Sequence, residues 1–238
     1  MEKFDFKQFS IHQDRSAMKV GTDGVLLGAW TPLTNNLLTI LDIGAGTGLI
    51  GLMLAQRSIA DQIDAIEIDE KAYEQCVENF ENSPWNDRLF CYHASLDEFT
   101  EEMQNEMSYD LIVSNPPFYT EDYKTKDKKR DLARFQDALP FEELIEFVSV
   151  LLSENGIFSV IIPFKEESKF TTIAEANQLY PFKLTRVKGT PTSEIKRSLM
   201  IFSRTRQEIS EDELIIEIAR HDYTPEYKEL TKAFYLKM

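Results

Sequence analysis

The chain has 238 residues, of which 42% are hydrophobic and 28% charged, and its formal net charge is −15 at pH 7. This composition excludes an intrinsically disordered chain and predicts a globular domain with a sizeable core. No apolar run approaches the roughly 20 residues of a membrane-spanning helix, and the first residues lack a signal sequence, so we expect a cytoplasmic protein without a membrane partner. The two cysteines and three histidines are scattered, which predicts no metal site.

Strand and helix patterns alternate through the middle of the chain. A lead-in of residues 1–36 precedes the strand "LLTILDIG" and the apolar helix "LIGLMLAQR". The later elements are the strand "IDAIEI", the helix "EKAYEQCVENFE", the strands "LFCYHA" and "YDLIVSN", the helix "FEELIEFVSVLL" and the strand "GIFSVIIP". Such alternation predicts an α/β fold in which helices cover both faces of a mostly parallel sheet. We interpret residues 1–238 as a single domain.

The pattern changes after residue 181. The runs "PFKLTRVKG" and "SLMIFSRTR" are strand-like and have no helix between them, so they predict an antiparallel hairpin near the C-terminus. Thr224 and Pro225 then carry the signal for the start of a final helix.

A glycine-rich turn joins the first core strand to its helix. Gly44, Gly46 and Gly48 permit a tight turn whose backbone can approach a ligand at the helix N-terminus. Glu67 follows at the end of the second strand, where an acid can hold the ribose hydroxyls of a nucleotide. NAD and S-adenosyl-L-methionine both fit this pattern. The GxGxG spacing and the preceding Asp42, which can bind the amino-acid end of the cofactor, favour S-adenosyl-L-methionine.

The fourth strand ends in Asn115, Pro116, Pro117 and Phe118, which we predict to be catalytic. The side-chain oxygen of Asn115, which we also count among the cofactor contacts, and the carbonyl of Pro116 can accept hydrogen bonds from a planar NH₂ group. Such bonds draw the nitrogen towards a tetrahedral shape and aim its lone pair at a methyl donor. The prolines stiffen the loop, and Phe118 offers a face for base stacking.

The phrases "LDIGAGTG", "EID" and "NPPF" resemble those of the class I S-adenosyl-L-methionine-dependent methyltransferases. This resemblance implies a Rossmann-like, seven-stranded sheet whose last strand is antiparallel, which agrees with the hairpin at the end. Enzymes of this family that carry NPPF or NPPY methylate adenine N6, guanine N2 or a glutamine amide. The motif therefore leaves the acceptor open.

The opening stretch "FDFKQFSIHQDRSAMKVGTDGVLLGAW" and the phrases "NSPW", "SNPPF" and "AFYL" resemble, in order, the bacterial tRNA1(Val) (adenine(37)-N6)-methyltransferases. The resemblance spans nearly the whole chain. It implies methylation of the adenine 3′ of the anticodon in a valine tRNA.

The resemblance also implies cofactor contacts. Lys19, Thr22 and Gly24 match the segment that closes over the methionine part of the cofactor, and Thr22 or Asp23 is also expected to cap the following helix. Many relatives carry an aspartate after the third strand, close to the cofactor's adenine. Ser95 stands at that place here, so we expect Ser95 or Asp97 to make the contact.

Two basic segments in this acidic chain indicate RNA binding. Residues 183–206 hold seven basic residues and one acid, and a lysine-rich run follows Phe118. These cations can bind the phosphates of an anticodon stem. The predicted RNA-binding residues are Lys124, Lys126, Lys128, Lys129, Arg130, Arg186, Lys188, Lys196 and Arg197.

Two alternatives stay open at this point. The first is another methyltransferase with the same motif, acting on rRNA guanine N2 or on a protein glutamine. The second is a non-catalytic RNA-binding protein that keeps a vestigial cofactor fold. Intact Asp42, Glu67 and Asn115 favour an active enzyme over the second alternative.

Overall fold

A computed structural model describes residues 2–34, 37–117 and 139–238. Its helices are α1 (Thr22–Trp30), α2 (Leu49–Arg57), α3 (Glu70–Glu81), α4 (Leu96–Met103), α5 (Phe141–Leu151), α6 (Glu167–Ala176) and α7 (Pro225–Thr231). Its strands are β1 (Lys3–Asp5), β2 (Ser10–His12), β3 (Thr39–Ile43), β4 (Gln62–Glu67), β5 (Leu89–His93), β6 (Tyr109–Ser114), β7 (Leu152–Pro163), β8 (Tyr180–Lys188), β9 (Ile195–Ser203), β10 (Ser210–Ile215), β11 (Glu217–Ala219) and β12 (Asp222–Tyr223). The elements predicted from the sequence are all present.

The central sheet has the strand order β10-β8-β9-β7-β6-β3-β4-β5. Its neighbouring strands run parallel except at β9, which is antiparallel to both β7 and β8. The predicted Rossmann-like sheet and its antiparallel hairpin are therefore confirmed. The structure adds an eighth strand, β10, to the seven that the resemblance implies, and β10 is the outermost strand beside the hairpin.

Strand β10 pairs with β8 in parallel, and the two strands carry opposite charges. Arg186 of β8 forms a 2.8 Å ion pair with Glu211 of β10, and Lys188 forms one of the same length with Glu213. Oppositely charged side chains on neighbouring strands stabilise a sheet. The acidic run "SEDEL" has no clean apolar alternation, which is why the sequence pattern does not indicate a strand there.

The core lies on both faces of the sheet. Successive residues of β3 point to opposite faces, and they belong to different apolar clusters: Ile40 to one and Leu41 to the other. The first cluster includes residues of α1 and α2, such as Leu26 and Leu52. The second includes residues of α5, such as Leu144. Helices thus cover both faces, as the sequence predicts.

The described helices leave no candidate for a bilayer span, because none combines the necessary length with sufficient apolar character. Across residues 2–34, 37–117 and 139–238, no group of three or more His, Cys, Asp and Glu side chains is arranged to hold a metal ion.

Candidate active site

The glycine turn and the Asn115 loop lie side by side at the carboxyl end of the sheet. Strands β3 and β6 are parallel neighbours, and their last residues, Ile43 and Ser114, pair in register. The Ser114 hydroxyl donates a 3.0 Å hydrogen bond to the Ile43 carbonyl, which joins the two strand ends. Ligands of open α/β sheets bind at this edge. A molecule held at the glycine turn therefore lies next to Asn115.

The three glycines of the turn have positive φ angles, but they do not share one role. Residues Gly44 and Gly46 have φ values of 72° and 57°, and a β-carbon at either position would meet no atom within 4 Å. Their backbone faces open space that a ligand can enter. A β-carbon at Gly48 would lie 2.6 Å from the Phe80 ring and 2.9 Å from Cys76 Sγ. Gly48 therefore allows the turn to pack against α3.

The carboxylate of Glu67 fixes the shape of the turn from the end of β4. The Gly46 N–H donates to Glu67 Oε2 at 2.8 Å, and the Asp69 N–H donates to Oε1 at 2.9 Å. Burial raises the pKa of Glu67 above its ordinary value. Each carboxylate oxygen keeps a second lone pair for a ligand hydroxyl. This arrangement fits a carboxylate that binds a ribose diol while it orders the glycine turn.

Asp42 lies fully buried beneath the turn and is only partly satisfied. Its Oδ2 accepts a 3.1 Å hydrogen bond from the Gly51 N–H, whereas its buried Oδ1 has no partner among the described residues. Burial, with a smaller contribution from the nearby Glu67, raises the pKa of Asp42 to about 7. An unpaired buried acceptor is costly, and a cationic amine of a ligand would satisfy it. Asp42 therefore fits the amino-acid end of S-adenosyl-L-methionine.

The acceptor loop begins directly at the end of β6. Asn115 and Pro117 are partly buried, and Pro116 is buried. Phe118, predicted to stack on a base, lies outside the described residues. The buried proline and the strand before it hold Asn115 at the sheet edge, where its amide can meet a bound acceptor.

The lead-in residues predicted to contact the cofactor have other interactions in this structure. Lys19 is exposed and forms an ion pair with Glu2. Thr22 is exposed and lines a cavity of about 570 Å³ together with aromatic side chains of the C-terminal segment. A β-carbon at Gly24 would lie 3.1 Å from Leu49 Cδ2, so this glycine lets α1 approach the first residue of α2 closely. Gly24 thus lies beside the glycine turn.

The predicted cap of α1 is wrong. Gly21, not Thr22 or Asp23, is the N-cap residue, and no side-chain hydrogen bond caps this helix end. Asp23 lies within the first turn of the helix and forms a 2.7 Å ion pair with Arg197 of β9. The carboxylate of Asp23 therefore pairs with Arg197, which is distant in sequence, whereas the local pattern predicts that it caps the helix.

The residue at the predicted adenine contact caps a helix. The Ser95 hydroxyl and backbone N–H donate to Glu98 Oε2 at 2.7 and 3.1 Å, at the N-terminus of α4. Hydrogen bonding to Ser95 also lowers the pKa of the exposed Asp97 below its ordinary value. Ser95 therefore has a structural role at this helix end that does not depend on a ligand.

Two residues that the sequence analysis missed lie next to the predicted site residues. Ile68 follows Glu67 and is 58% exposed, so its apolar side chain is available to a ligand's base. Asn79 of α3 is buried; its Nδ2 donates to the Thr47 carbonyl at 2.8 Å and to the His12 carbonyl at 2.9 Å. It thus ties the lead-in to the glycine turn. Neither the exposure of Ile68 nor the hydrogen-bond partners of Asn79 can be recognised from the local sequence.

The two residues of β8 that were predicted to bind RNA, Arg186 and Lys188, are paired with acids. Arg186 donates to Glu167 at 2.7 Å and to Glu211 at 2.8 Å. Lys188 forms a 2.8 Å ion pair with Glu213. These acids come from α6 and β10, so the positive charges of Arg186 and Lys188 are offset by residues that lie elsewhere in the sequence.

The other predicted RNA-binding residues fall into two groups. In β9, Arg197 pairs with Asp23 as described, and Lys196 lies 3.7 Å from Glu194 with its side chain 64% exposed. Among the hairpin residues predicted to bind RNA, Lys196 thus has the most exposed side chain. The residues outside the described part of the chain are Lys124, Lys126, Lys128, Lys129 and Arg130.

Comparison with known sequences agrees with this geometry. Residues 25–138 match the family described as the Methyltransferase small domain. The tRNA1(Val) (adenine(37)-N6)-methyltransferase of Flavobacterium johnsoniae is 71% identical over 236 residues, which cover 99% of this chain and 100% of that protein. The protein of the same name from Bacteroides fragilis strain YCH46 is 48% identical over 99% of this chain and 98% of its own length.

Comparison with solved structures supports the fold. A protein of Agrobacterium tumefaciens described as a predicted O-methyltransferase aligns with a TM-score of 0.72 at 18% identity, covering 89% of this chain and 96% of its own. P. horikoshii TYW2, solved in complex with MeSAdo, aligns with a TM-score of 0.53 at 16% identity, covering 79% of this chain and 65% of its own. At these identities the likeness concerns the fold alone.

Proposed function

Because this chain belongs to the tRNA1(Val) (adenine(37)-N6)-methyltransferase family, we propose that it transfers a methyl group from S-adenosyl-L-methionine to adenine N6 in tRNA. The proposed target is the adenine 3′ of the anticodon in a valine tRNA, and the reaction takes place in the cytoplasm. The observation that carries the proposal is the register of Ile43 with Ser114, which sets the glycine turn beside Asn115.

The chain's own residues supply a fitting place for the cofactor. Asp42 Oδ1 would accept from its amino group, Glu67 would hold its ribose hydroxyls, and Ile68 would contact its base. The backbone at Gly44 and Gly46 leaves room for close approach. When bound, S-adenosyl-L-methionine supplies a methyl group on a positively charged sulfonium, which is already a good electrophile.

Asn115 and Pro116 would prepare the acceptor amine. The lone pair of adenine N6 is delocalised into the ring, so the amine is a poor nucleophile. The Asn115 side-chain oxygen and the Pro116 carbonyl accept its two N–H groups, which favours a tetrahedral nitrogen with its lone pair aimed away from both acceptors. Catalysis is then mainly a matter of positioning, and no strong general base is needed. The amine proton leaves to solvent after transfer.

The tRNA would be held largely through its phosphates. The ion pairs of Arg186, Lys188 and Arg197 satisfy these cations within the protein, so they contribute less to phosphate binding than the sequence suggested. The lysine-rich run that follows Phe118 therefore becomes the main proposed phosphate contact, with the exposed Lys196 as a further one. A base in an anticodon loop is already unpaired, so it costs little to flip into a pocket.

A labelling experiment tests this function. The purified protein is incubated with S-adenosyl-L-methionine carrying a labelled methyl group and with separated tRNA, rRNA and protein fractions. Digestion of the labelled RNA should yield N6-methyladenosine from valine tRNA alone. Label in guanine of rRNA, or in a protein glutamine, would show that the acceptor is a different group and would contradict the proposed function.

A variant tests the role of Asn115. Asn115→Ala should lose most turnover, on the order of 10²-fold or more, while its cofactor affinity stays near that of the wild type, since the amide is proposed to act on the acceptor. Asn86→Ala removes an exposed asparagine that bonds the Glu81 carbonyl, and it serves as the matched control. Near-normal turnover of Asn115→Ala would show that amine alignment is not the mechanism.

A further inference from the structure

An aromatic side chain stands exposed at the carboxyl edge of the sheet, one strand away from Asn115. Phe164 directly follows the last residue of β7 and is 37% exposed. It opens a short 3₁₀ turn, Phe164–Glu166, none of whose residues is buried. By contrast, Phe158 and Phe202 of the same sheet are fully buried. Packing in the core therefore does not explain why a phenylalanine stands at this position.

The ring of Phe164 is held in place on one side. The guanidinium carbon of Arg186 lies 5.8 Å from the ring centroid, at cation–π distance. Arg186 is itself fixed by Glu167 and Glu211, which accept hydrogen bonds from its Nε and both terminal nitrogens. A guanidinium clamped between two carboxylates has little freedom, so it gives the ring above it a defined position.

The ion pairs of Arg186 also affect which kind of ligand can bind next to Phe164. The hydrogen-bond donors of Arg186 are directed to carboxylates, and the two acids outnumber the single cation. A phosphate therefore gains little from Arg186, whose charge is already offset by two carboxylates. The open face of an aromatic ring binds a planar, uncharged partner by stacking, and nucleobases have such a face whatever their identity.

The strand register places Phe164 beyond the reacting atoms. Val160 of β7 pairs with Ser114, so Phe164 lies four residues past this pair, whereas Asn115 lies one residue past it. Three residues of extended chain correspond to roughly 10 Å. A base stacked on Phe164 is therefore a neighbour of the target base and not the target base itself.

From this geometry we infer that Phe164 is a stacking platform for the RNA base next to the methylated adenine, with Arg186 as its positioning residue. The inference rests on the proposed function and deepens it. The carboxyl end of the sheet would thus make a second contact with the RNA, in which a base stacks on the Phe164 ring and no charge is involved. Arg186 accordingly acts on RNA through Phe164 and not through a phosphate.

Three variants test the platform by the KM for an anticodon stem-loop, kcat and cofactor affinity. Phe164→Ala should raise the KM about ten-fold, the loss expected for one stacked base, and leave cofactor affinity unchanged. Phe164→Tyr keeps the ring and should retain near-normal KM. Phe90→Ala is the control, because Phe90 is 44% exposed on β5, an outermost strand that lies four strands away from β7. Equal KM values for Phe164→Ala and Phe90→Ala would overturn the inference.

Abasic substrates separate stacking from a general loss of structure. Stem-loops are synthesised with an abasic nucleotide on either side of the target adenine. At the stacked position, base removal should weaken binding to the wild type about ten-fold but should not weaken binding to Phe164→Ala any further. Additive losses on both sides would exclude the platform.

The same experiments distinguish the platform from the proposed function. Wild-type protein that methylates no tRNA would overturn the function itself. Methylation that proceeds normally in Phe164→Ala would overturn only the platform. Arg186→Met should raise the KM less than Phe164→Ala, because it frees the ring without removing it. A larger effect of Arg186→Met would show direct phosphate binding and contradict the positioning role.

Discussion

The carboxylate of Asp42 is fully buried and accepts a single hydrogen bond within the described residues. Its effect on the stability of the folded protein therefore depends on pH. Its pKa is raised to about 7 in the folded protein, whereas an unfolded aspartate has the ordinary value of 3.8. Between these values the folded state keeps a proton that the unfolded state has released. Folded stability therefore falls as pH rises from about 4 to about 7, and the loss is complete above that range.

We accordingly predict that Asp42→Asn gains stability relative to the wild type as pH rises. The amide keeps an acceptor for the Gly51 N–H but cannot ionise. Urea unfolding of both proteins at pH 5 and pH 8 measures the difference. The relative gain at pH 8 should be on the order of a few kcal/mol, since each pKa unit corresponds to about 1.4 kcal/mol. A difference between the two proteins that does not vary with pH would contradict the raised pKa.

At the scale of elements, the lead-in is fastened to the cofactor turn through one helix. Asn79 of α3 accepts a hydrogen bond from the His12 N–H and donates to the carbonyls of His12 and Thr47. Gln75 of the same helix accepts a hydrogen bond from the Arg15 N–H at 3.0 Å. Lead-in, α3 and glycine turn thus form one connected unit. Because α3 follows β4, the helix also connects this unit to the strand end that bears Glu67.

Removal of this connection should loosen the turn. Asn79→Ala leaves three backbone groups without these partners, so we expect a decrease of a few kcal/mol in the free energy of unfolding. Hydrogen exchange should accelerate at the amides of His12 and of residues 45–48. Gln75→Ala is the matched control, because it releases Arg15 without touching the turn. If both variants exchange alike at residues 45–48, Asn79 does not couple the lead-in to the turn.

At the scale of the whole molecule, a net charge of −15 has to be reconciled with RNA binding. Charges more than about 8 Å apart are largely screened at physiological salt, so a local basic patch can act despite distant acids. The structure sharpens the expectation, since Arg186, Lys188 and Arg197 of the hairpin are paired with acids. The lysine-rich run should therefore carry most of the salt-dependent binding.

We predict that simultaneous neutralisation of Lys126, Lys128, Lys129 and Arg130 weakens tRNA binding at low salt. Removal of one phosphate interaction should reduce the slope of log affinity against log salt by roughly 0.7 to 0.9, because fewer counterions are released on binding. A titration of tRNA binding at several salt concentrations measures both the affinity and the slope.

A charge-matched control distinguishes local contacts from net charge. Its four neutralised residues, in or directly after helices, are Lys71, Lys169, Lys228 and Lys232. The control should keep the wild-type slope, or show a much smaller reduction. If both quadruple variants behave alike, the lysine-rich run makes no specific contact with tRNA.

Sequence patterns predicted the features of the fold that depend on local periodicity and local chemistry. Alternating strand and helix patterns predicted the parallel sheet, and the polar loop between β8 and β9 predicted the hairpin. The glycine turn and the Asn115 loop were predicted to lie at one edge of the sheet, because each follows the carboxyl end of a strand in a parallel sheet, and ligands bind at that edge. The catalytic and cofactor roles of these residues stay predictions that the experiments above test.

Other features depend on contacts between residues that are distant in the chain, and only the folded structure shows them. Asp23 and Arg197 lie 174 residues apart, yet their ion pair replaces a predicted helix cap and occupies a predicted RNA contact. Strand β10 pairs with β8, whose basic side chains form ion pairs with the acids of β10. Gly48, unlike Gly44, packs against a neighbouring helix, and Phe164 stands exposed. Local sequence cannot specify such pairings, because burial and ion pairing are set by where the folded chain brings distant residues together.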